Sequence, residues 1–415
     1  MDRRDFLKAA GSLVGAVAIK SVFPDFLFAV ENAADKIEVA ASSIIRPCFA
    51  VPSIVKKGNA IPFSVRRDSG YKMVSVWLQP SGKEENIPLK IAKASGETPG
   101  ALKADKIIPA GIYDLYIKVA NADSERTEKQ PLSVKIVEGF KSDFVFGVIS
   151  DVHFGDPRVH AKLPNFDVPE ALTKVISELN SREVEFCLAC GDFCFTPPKT
   201  KNEILSYVNT MAASARFPIF SVPGNHDGYT TGTPQKVNFD TFKYWDRYFG
   251  NFDFSATYGD VRIIGLNTYD KNALDRNLYG GQGDKVDTGA MTPEQLTRVE
   301  NYLKAAKADK SKSVIMLGHQ NPTNSVIDVN GPFSVVPFSE TGRKELLGLL
   351  HKYSPDALFV GHVHGFYQEN VGKTRIITAP TLGSIPKNNN PLGYLLVSVK
   401  SGKISKVEMV ETVKV

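Results

Sequence analysis

Apolar and polar positions alternate along four short runs in the first third of the chain: 61–65, 73–78, 112–119 and 132–137. A period of two sends successive side chains to opposite faces, the pattern of strands with one face buried. Lys57-Gly58-Asn59, Pro80-Ser81-Gly82 and Pro109-Ala110-Gly111 separate the runs with turn chemistry. Strands at this spacing, with no helical pattern between them, predict a small all-β sandwich of immunoglobulin or fibronectin type over 38–139. That region contains no histidine. It is expected to fold separately and to supply no metal ligand.

After Gly139 the pattern changes. The runs 144–149, 184–189, 218–222, 261–266, 314–317, 357–360 and 375–379 are apolar almost throughout, the mark of strands covered on both faces. Helical periodicity lies between several of them, over 168–180, 199–213 and 340–353, and after Thr292-Pro293-Glu294-Gln295. Asp167 and Thr292 are placed to cap two of these helices. The last two runs, 394–399 and 406–410, form a hairpin across Ser401-Gly402. Strands interleaved with helices and closed by a hairpin predict an α/β unit over 143–415: a two-sheet β core flanked by helices.

The ends and the charge narrow the class. Arg3-Arg4-Asp5-Phe6-Leu7-Lys8 precedes a soft apolar stretch, which resembles a twin-arginine export signal over 1–34. The expectation is delivery by the twin-arginine translocase to the periplasm or the exterior. Lys20 and Pro24-Asp25 interrupt any run long enough to span a membrane. A net charge of +5, from 50 basic and 45 acidic residues without a long basic run, excludes a nucleic-acid duplex as the expected partner. Three of the four cysteines, Cys187, Cys190 and Cys194, surround Asp192. They read as small hydrophobes at the end of a buried strand.

Candidate chemistry is concentrated in five short clusters: Asp151-Val152-His153, Gly191-Asp192, Gly224-Asn225-His226-Asp227, Gly318-His319 and Gly361-His362-Val363-His364. The chain has seven histidines, and only His160 and His351 lie outside these clusters. Each cluster follows an apolar run, so carboxylates, an amide and imidazoles converge at strand ends, where α/β folds place their ligands. A carboxylate has two oxygens and can bridge two cations; a neutral imidazole cannot. Asp192 is therefore the expected bridge. Asn225, His319 and His362 would serve one metal, and Asp151, His153 and His364 the other. Manganese, zinc or ferrous iron suits this donor set.

These motifs, in this order, resemble the calcineurin-like metallophosphoesterases over residues 143–400. The resemblance implies a double-sheet sandwich, a two-metal site with the ligands just given, and His226 with Asp227 as an acid/base dyad. Purple acid phosphatases carry a similar N-terminal sandwich and a ligand tyrosine three residues past the aspartate of Gly-Asp. Phe195 stands there in this chain, which argues against a tyrosinate-bound ferric site.

The expected activity is hydrolysis of a small phosphomonoester or phosphodiester by a hydroxide bridging the two metals. A nucleotide or lipid-linked phosphate is an alternative substrate, and a non-enzymatic phosphate-binding or scaffolding role is an alternative function. His160, in the loop 155–166, and Tyr229, Tyr269 and Arg276, in the loops 228–238 and 270–289, are the candidates to contact the substrate.

Overall fold

Two kinds of apolar run fold into two kinds of sheet. A computed structural model describes residues 42–66, 70–92, 100–195, 197–278, 286–325, 337–387 and 390–413. The expected export signal lies outside the described residues.

The α/β unit is built on two sheets. One has the order Ile219–Ser221, Cys187–Ala189, Phe144–Ile149, Leu392–Lys400, Lys403–Val413. Its first three strands are parallel, and the closing hairpin is antiparallel. The other has the order Phe254–Tyr258, Val261–Gly265, Ser313–Leu317, Ala357–Val360, Thr374–Thr378, Tyr367–Val371. Its four inner strands are parallel, with an antiparallel strand at each edge.

Alternation along the second sheet explains why its strands read as unbroken apolar runs. Ile263, Ile315, Phe359 and Ile377 face inward and share one core with Phe146, Leu188 and Phe220 of the first sheet. Their neighbours Ile264, Met316, Leu358 and Ile376 face outward, under the helices Pro293–Ala308 and Arg343–Tyr353. Both faces are buried at these positions of the inner strands, so both sets are apolar. The expected two-sheet core flanked by helices is what the chain forms.

Local chemistry sets the element ends. The Asp167 side chain accepts from Glu170 N at 2.7 Å and opens the helix Val168–Ser181. The helix expected from residue 340 starts at Arg343, because Gly342 has φ 76°. Ser401 and Gly402, at φ 50° and 77°, make the tight turn of the final hairpin. The helices Pro157–Lys162 and Phe242–Tyr248, and the hairpin Thr230–Thr233 with Lys236–Asp240, had too short a period to be read from sequence.

The described residues from 42 to 137 are all-β. A sheet ordered Ile44–Arg46, Ile61–Val65, Gly100–Lys103, Lys90–Ala92 accompanies a second ordered Ser53–Lys56, Glu125–Val137, Gly111–Ala120, Lys72–Pro80, Ile87–Pro88. Val76, Leu78, Leu102, Leu115, Ile117 and Val134 form its core.

The join to the α/β unit is tighter than two regions with separate cores would need. Residues 48–51 leave the sandwich and enter the large core, with Cys48, Phe49, Ala50 and Val51 all buried. There Ala50 N donates to Phe249 O, and Ser221 N donates to Ala50 O, covering the edge strand Ile219–Ser221. The Phe49 and Phe249 rings meet at 5.3 Å. Lys135 and Lys141 both pair with Glu185 across the same boundary, at 2.8 and 2.7 Å.

Candidate metal centre

Five loops at the C-terminal ends of parallel strands bring the donor groups together. Asp151 and His153 follow Phe144–Ile149, and Asp192 follows Cys187–Ala189. Asn225 follows Ile219–Ser221, His319 follows Ser313–Leu317, and His362 and His364 follow Ala357–Val360. The backbone there is unusual. Asp151, His153, Asp192, His362 and His364 all have positive φ, between 48° and 71°. Non-glycine residues rarely adopt this left-handed conformation, and such strain persists where the surroundings over-determine it.

Glycines make room for the crossing loops. A Cβ on Gly191 (φ 89°) would strike Gly224 N and the His319 ring, and one on Gly361 would strike Ser150 Oγ and Asp151 Oδ2. Both positions need glycine because atoms of other loops occupy that space.

Three sets of donor atoms lie close enough to share a cation: Asp151 with His153 and His364; His153 with Asp192 and His226; and Asp192 with His319 and His362. In the first set His364 Nε2 is 3.2 Å from both Asp151 Oδ1 and His153 Nε2. In the third, Asp192 Oδ2 is 3.2 Å from His319 Nε2. Ligands about 2.1 Å from one ion stand about 3.4 Å apart in a tetrahedron, so these spacings fit a common centre. Asp192 Oδ2 also lies 3.5 Å from His153 Nε2, between imidazoles of both sets. Asn225 Oδ1 joins the third set, 3.1 Å from His319 Nε2. Nε2 of His362 and Nδ1 of His153 are buried without a hydrogen-bond partner. An orphaned buried nitrogen is costly unless something binds it.

Neighbouring carbonyls set the tautomers. Nδ1 of His319 pairs with Cys190 O at 2.6 Å, that of His364 with Ile385 O at 2.9 Å, and that of His226 with Phe195 O at 2.9 Å. A carbonyl can only accept, so each Nδ1 holds a proton and Nε2 is the nitrogen left to face the centre.

The charges are poised for cations. Burial opposes ionisation of Asp151 and Asp192, yet the surrounding histidines hold both carboxyls below their usual range. Burial likewise disfavours charge on His319, but Asp192 wins and raises it to about 9. Burial dominates at His226 and lowers it to about 4. Burial, reinforced by Asp192, raises Asp227 to about 6. Without a cation the cluster thus retains a proton on His319 in its place.

The structure alters several residue roles. Asp227 does not orient the His226 ring. Its carboxylate accepts from the backbone N–H groups of Asp192, Phe193, Cys194 and Gly224, and so ties the Asp192 loop to the Asn225 loop. The partner of the His226 ring is the Phe195 carbonyl.

Tyr229, Tyr269 and Arg276 are buried, not displayed to a substrate. Tyr229 OH accepts from Asn225 Nδ2 at 2.7 Å and donates to Asp287 at 2.6 Å. Tyr269 OH donates to Val286 O at 2.5 Å. Arg276 is spent on Asp240, at 2.7 Å, and on Gly228 O. His160 is exposed on the helix Pro157–Lys162 and belongs to none of the donor sets. The four cysteines are free and buried, and burial pushes the thiols of Cys190 and Cys194 up. Of the four, Cys194 lies against the site, its thiol donating to Asp227 Oδ1 at 3.3 Å.

Gln320 and Arg158 escaped the sequence reading. Buried Gln320 donates to Asn225 Oδ1 at 3.3 Å, and its place beside His319 was the available signal. Arg158 stacks on Phe195, its guanidinium carbon 4.6 Å from the ring centroid. No local pattern marks it.

A dimetal phosphatase from Danio rerio superposes with a TM-score of 0.50 at 13% identity, covering 66% of this chain and 98% of that one. A purple acid phosphatase from yellow lupin (Lupinus luteus) seeds gives a TM-score of 0.48 at 14% identity, covering 85% of this chain and 72% of that one. At such identities the likeness is one of fold. No curated protein matches the chain. The family model of calcineurin-like phosphoesterases matches residues 144–366, more than half of the chain. Because that match runs through all five loops that carry the donor groups, the chain belongs to the calcineurin-like phosphoesterase family.

Proposed function

We propose that this chain is an exported hydrolase of small phosphoric esters that works with two divalent cations. The observation that carries the reading is the position of Asp192: one carboxylate oxygen lies between imidazoles of two donor sets, 3.5 Å from His153 and 3.2 Å from His319. Asp151, His153 and His364 would hold one cation, and Asn225, His319 and His362 the other, with Asp192 common to both. Bound there, a cation pair neutralises phosphate oxygens and makes a water acidic enough to be deprotonated near neutral pH.

The chain's own residues supply the rest. The carbonyls behind His319 and His364 keep the donor nitrogens aimed before any substrate arrives. His226, with Nδ1 committed to Phe195 O, presents Nε2 toward the leaving oxygen; burial keeps the ring neutral near pH 7, so it acts as the acid only after Nε2 has taken up a proton. Asp227 serves this step indirectly, by fixing the loop that carries His226. The Phe195 side chain has no oxygen to offer, so manganese, zinc or ferrous iron suits the set better than a tyrosinate-bound ferric ion.

Metal analysis of the purified full chain, with a screen of phosphomonoesters and diesters, tests the reading. The expected result is two ions per active chain. A fully active protein holding one ion or none would sink it. Export rests on Arg3 and Arg4 ahead of a mildly apolar segment. Changing both to lysine keeps the charge but removes the planar guanidinium. In a host with a working twin-arginine system this variant should stay unprocessed and active in the cytoplasm; normal delivery would remove the export assignment.

A further inference from the structure

Arg158 is held in place with one edge unused. Nε donates to Asp156 Oδ1 at 2.9 Å and Nη2 to Asp156 Oδ2 at 2.8 Å, a two-point clamp, and Nη2 also reaches Ser384 Oγ at 3.4 Å. Asp156 is itself buried and fixed by Ser384, which donates to it at 2.6 Å. The guanidinium lies 4.6 Å from the centre of the Phe195 ring. Phe195 in turn stacks on the His226 ring at 5.3 Å and holds Nδ1 of that ring through its carbonyl. Among the described residues Nη1 has no partner, although 45% of the side chain is open to solvent. A guanidinium pinned along one edge and stacked on a ring presents its other edge already oriented, which suits recognition of a planar or tetrahedral oxyanion.

We propose that Arg158 is a second anion-binding point of the site, one that takes a carboxylate or phosphoryl group on the leaving portion of the substrate. The inference rests on the phosphoester function above. The donor sets around Asp192 would take the scissile phosphate, and His226 would attend the leaving oxygen. Arg158 lies one phenyl ring beyond His226, so a group reaching it belongs to the part of the substrate that departs. A purely structural ion pair would satisfy Asp156 equally well, but it gives Nη1, unpaired among the described residues, no role. The preferred substrates are therefore phosphate esters whose alcohol or phenol carries its own negative charge.

Non-hydrolysable probes separate this inference from the catalytic reading. Phenylphosphonate and its 4-carboxy and 4-phosphono derivatives are titrated calorimetrically into the manganese-loaded full chain. Either added anion should tighten binding by about tenfold, the scale of a charge-assisted contact to an oriented arginine. The two derivatives show whether a carboxylate or a phosphoryl group is preferred. Arg158→Gln should lose that gain while binding phenylphosphonate much less altered.

If Arg158→Gln fails to fold, Arg158→Lys keeps a cation opposite Asp156 but lacks the second edge, and it should lose most of the gain. Equal weakening of charged and uncharged probes, or a gain that survives in Arg158→Lys, would overturn the proposal. A wild type that shows the gain yet hydrolyses no phosphate ester would leave the anion site standing and remove the catalytic reading.

Discussion

Asn225 gives one end of its amide to Tyr229: Nδ2 donates to the Tyr229 hydroxyl at 2.7 Å, and this leaves Oδ1 facing His319 Nε2 at 3.1 Å. The hydroxyl passes its own proton to Asp287 at 2.6 Å, so the acceptor seen by Asn225 is fixed. An amide can flip end for end, and this chain of bonds decides which end faces the centre.

Tyr229→Phe should therefore weaken cation binding at the Asn225 set by about 10–100-fold, the usual effect of losing a group that orients a ligand. Activity at saturating metal should fall much less. A metal titration separates the two readouts, and unchanged affinity would mean that Gln320 alone holds the amide.

Asp192→Asn should empty both cation positions, because Asp192 groups with His153 as well as with His319 and His362. Loss of a single ion, with the other retained at wild-type affinity, would show that Asp192 belongs to one set only. Elemental analysis after dialysis reads this directly.

His226→Ala should leave both ions bound and lower kcat by about 10²–10⁴, the typical worth of a positioned acid or base. The loss should shrink for a nitrophenyl ester, whose leaving oxygen needs little protonation. Equal losses on nitrophenyl and alkyl esters would mean that His226 positions the phosphate instead.

Cation binding should release a proton at neutral pH. Asp192 lifts His319 from its ordinary 6.5 to about 9, so this ring is protonated at pH 7 until a cation displaces the proton. Apparent affinity at that set should rise about tenfold per pH unit up to about pH 9 and then level off. The same shift contributes stability to the metal-free fold below pH 6.5, stability that is lost as pH rises through 9. Calorimetry in buffers of different ionisation enthalpy counts the protons; a pH-independent affinity between 7 and 9 would contradict the assignment.

A chain beginning at Lys141 should fold poorly, contrary to the separate folding that the sequence implies. Removing residues 48–51 strips Phe49 and Val51 from the large core and uncovers the edge strand Ile219–Ser221. Each fully buried apolar side chain is worth about 1.5–3 kcal/mol, and an uncovered edge invites aggregation. Urea unfolding of this truncation against the full chain measures the effect. A truncation as stable as the full chain would show that the strap only decorates the core.

The sequence by itself determined which residues could carry the chemistry. Hydrophobic runs locate strands because burial is written in local composition, and a donor group just past a strand end has few places to go. Asp151, His153, Asp192, Asn225, His319, His362 and His364 were legible for that reason, as was the two-sheet core. What the tertiary structure decided is how side chains from different loops face each other. Asp227 sits next to His226 in sequence, yet it turns to four backbone N–H groups, because those loop ends, once buried, must find acceptors. Tyr229 and Arg276 resemble surface recognition residues in sequence, but long-range partners such as Asp287 and Asp240 draw them inside. Arg158 carries no local signal at all; Asp156, Phe195 and Ser384 fix its place only by being folded around it. Period and composition are local quantities, whereas a hydrogen-bond partner from another loop is not, and the division between the two kinds of knowledge follows from that.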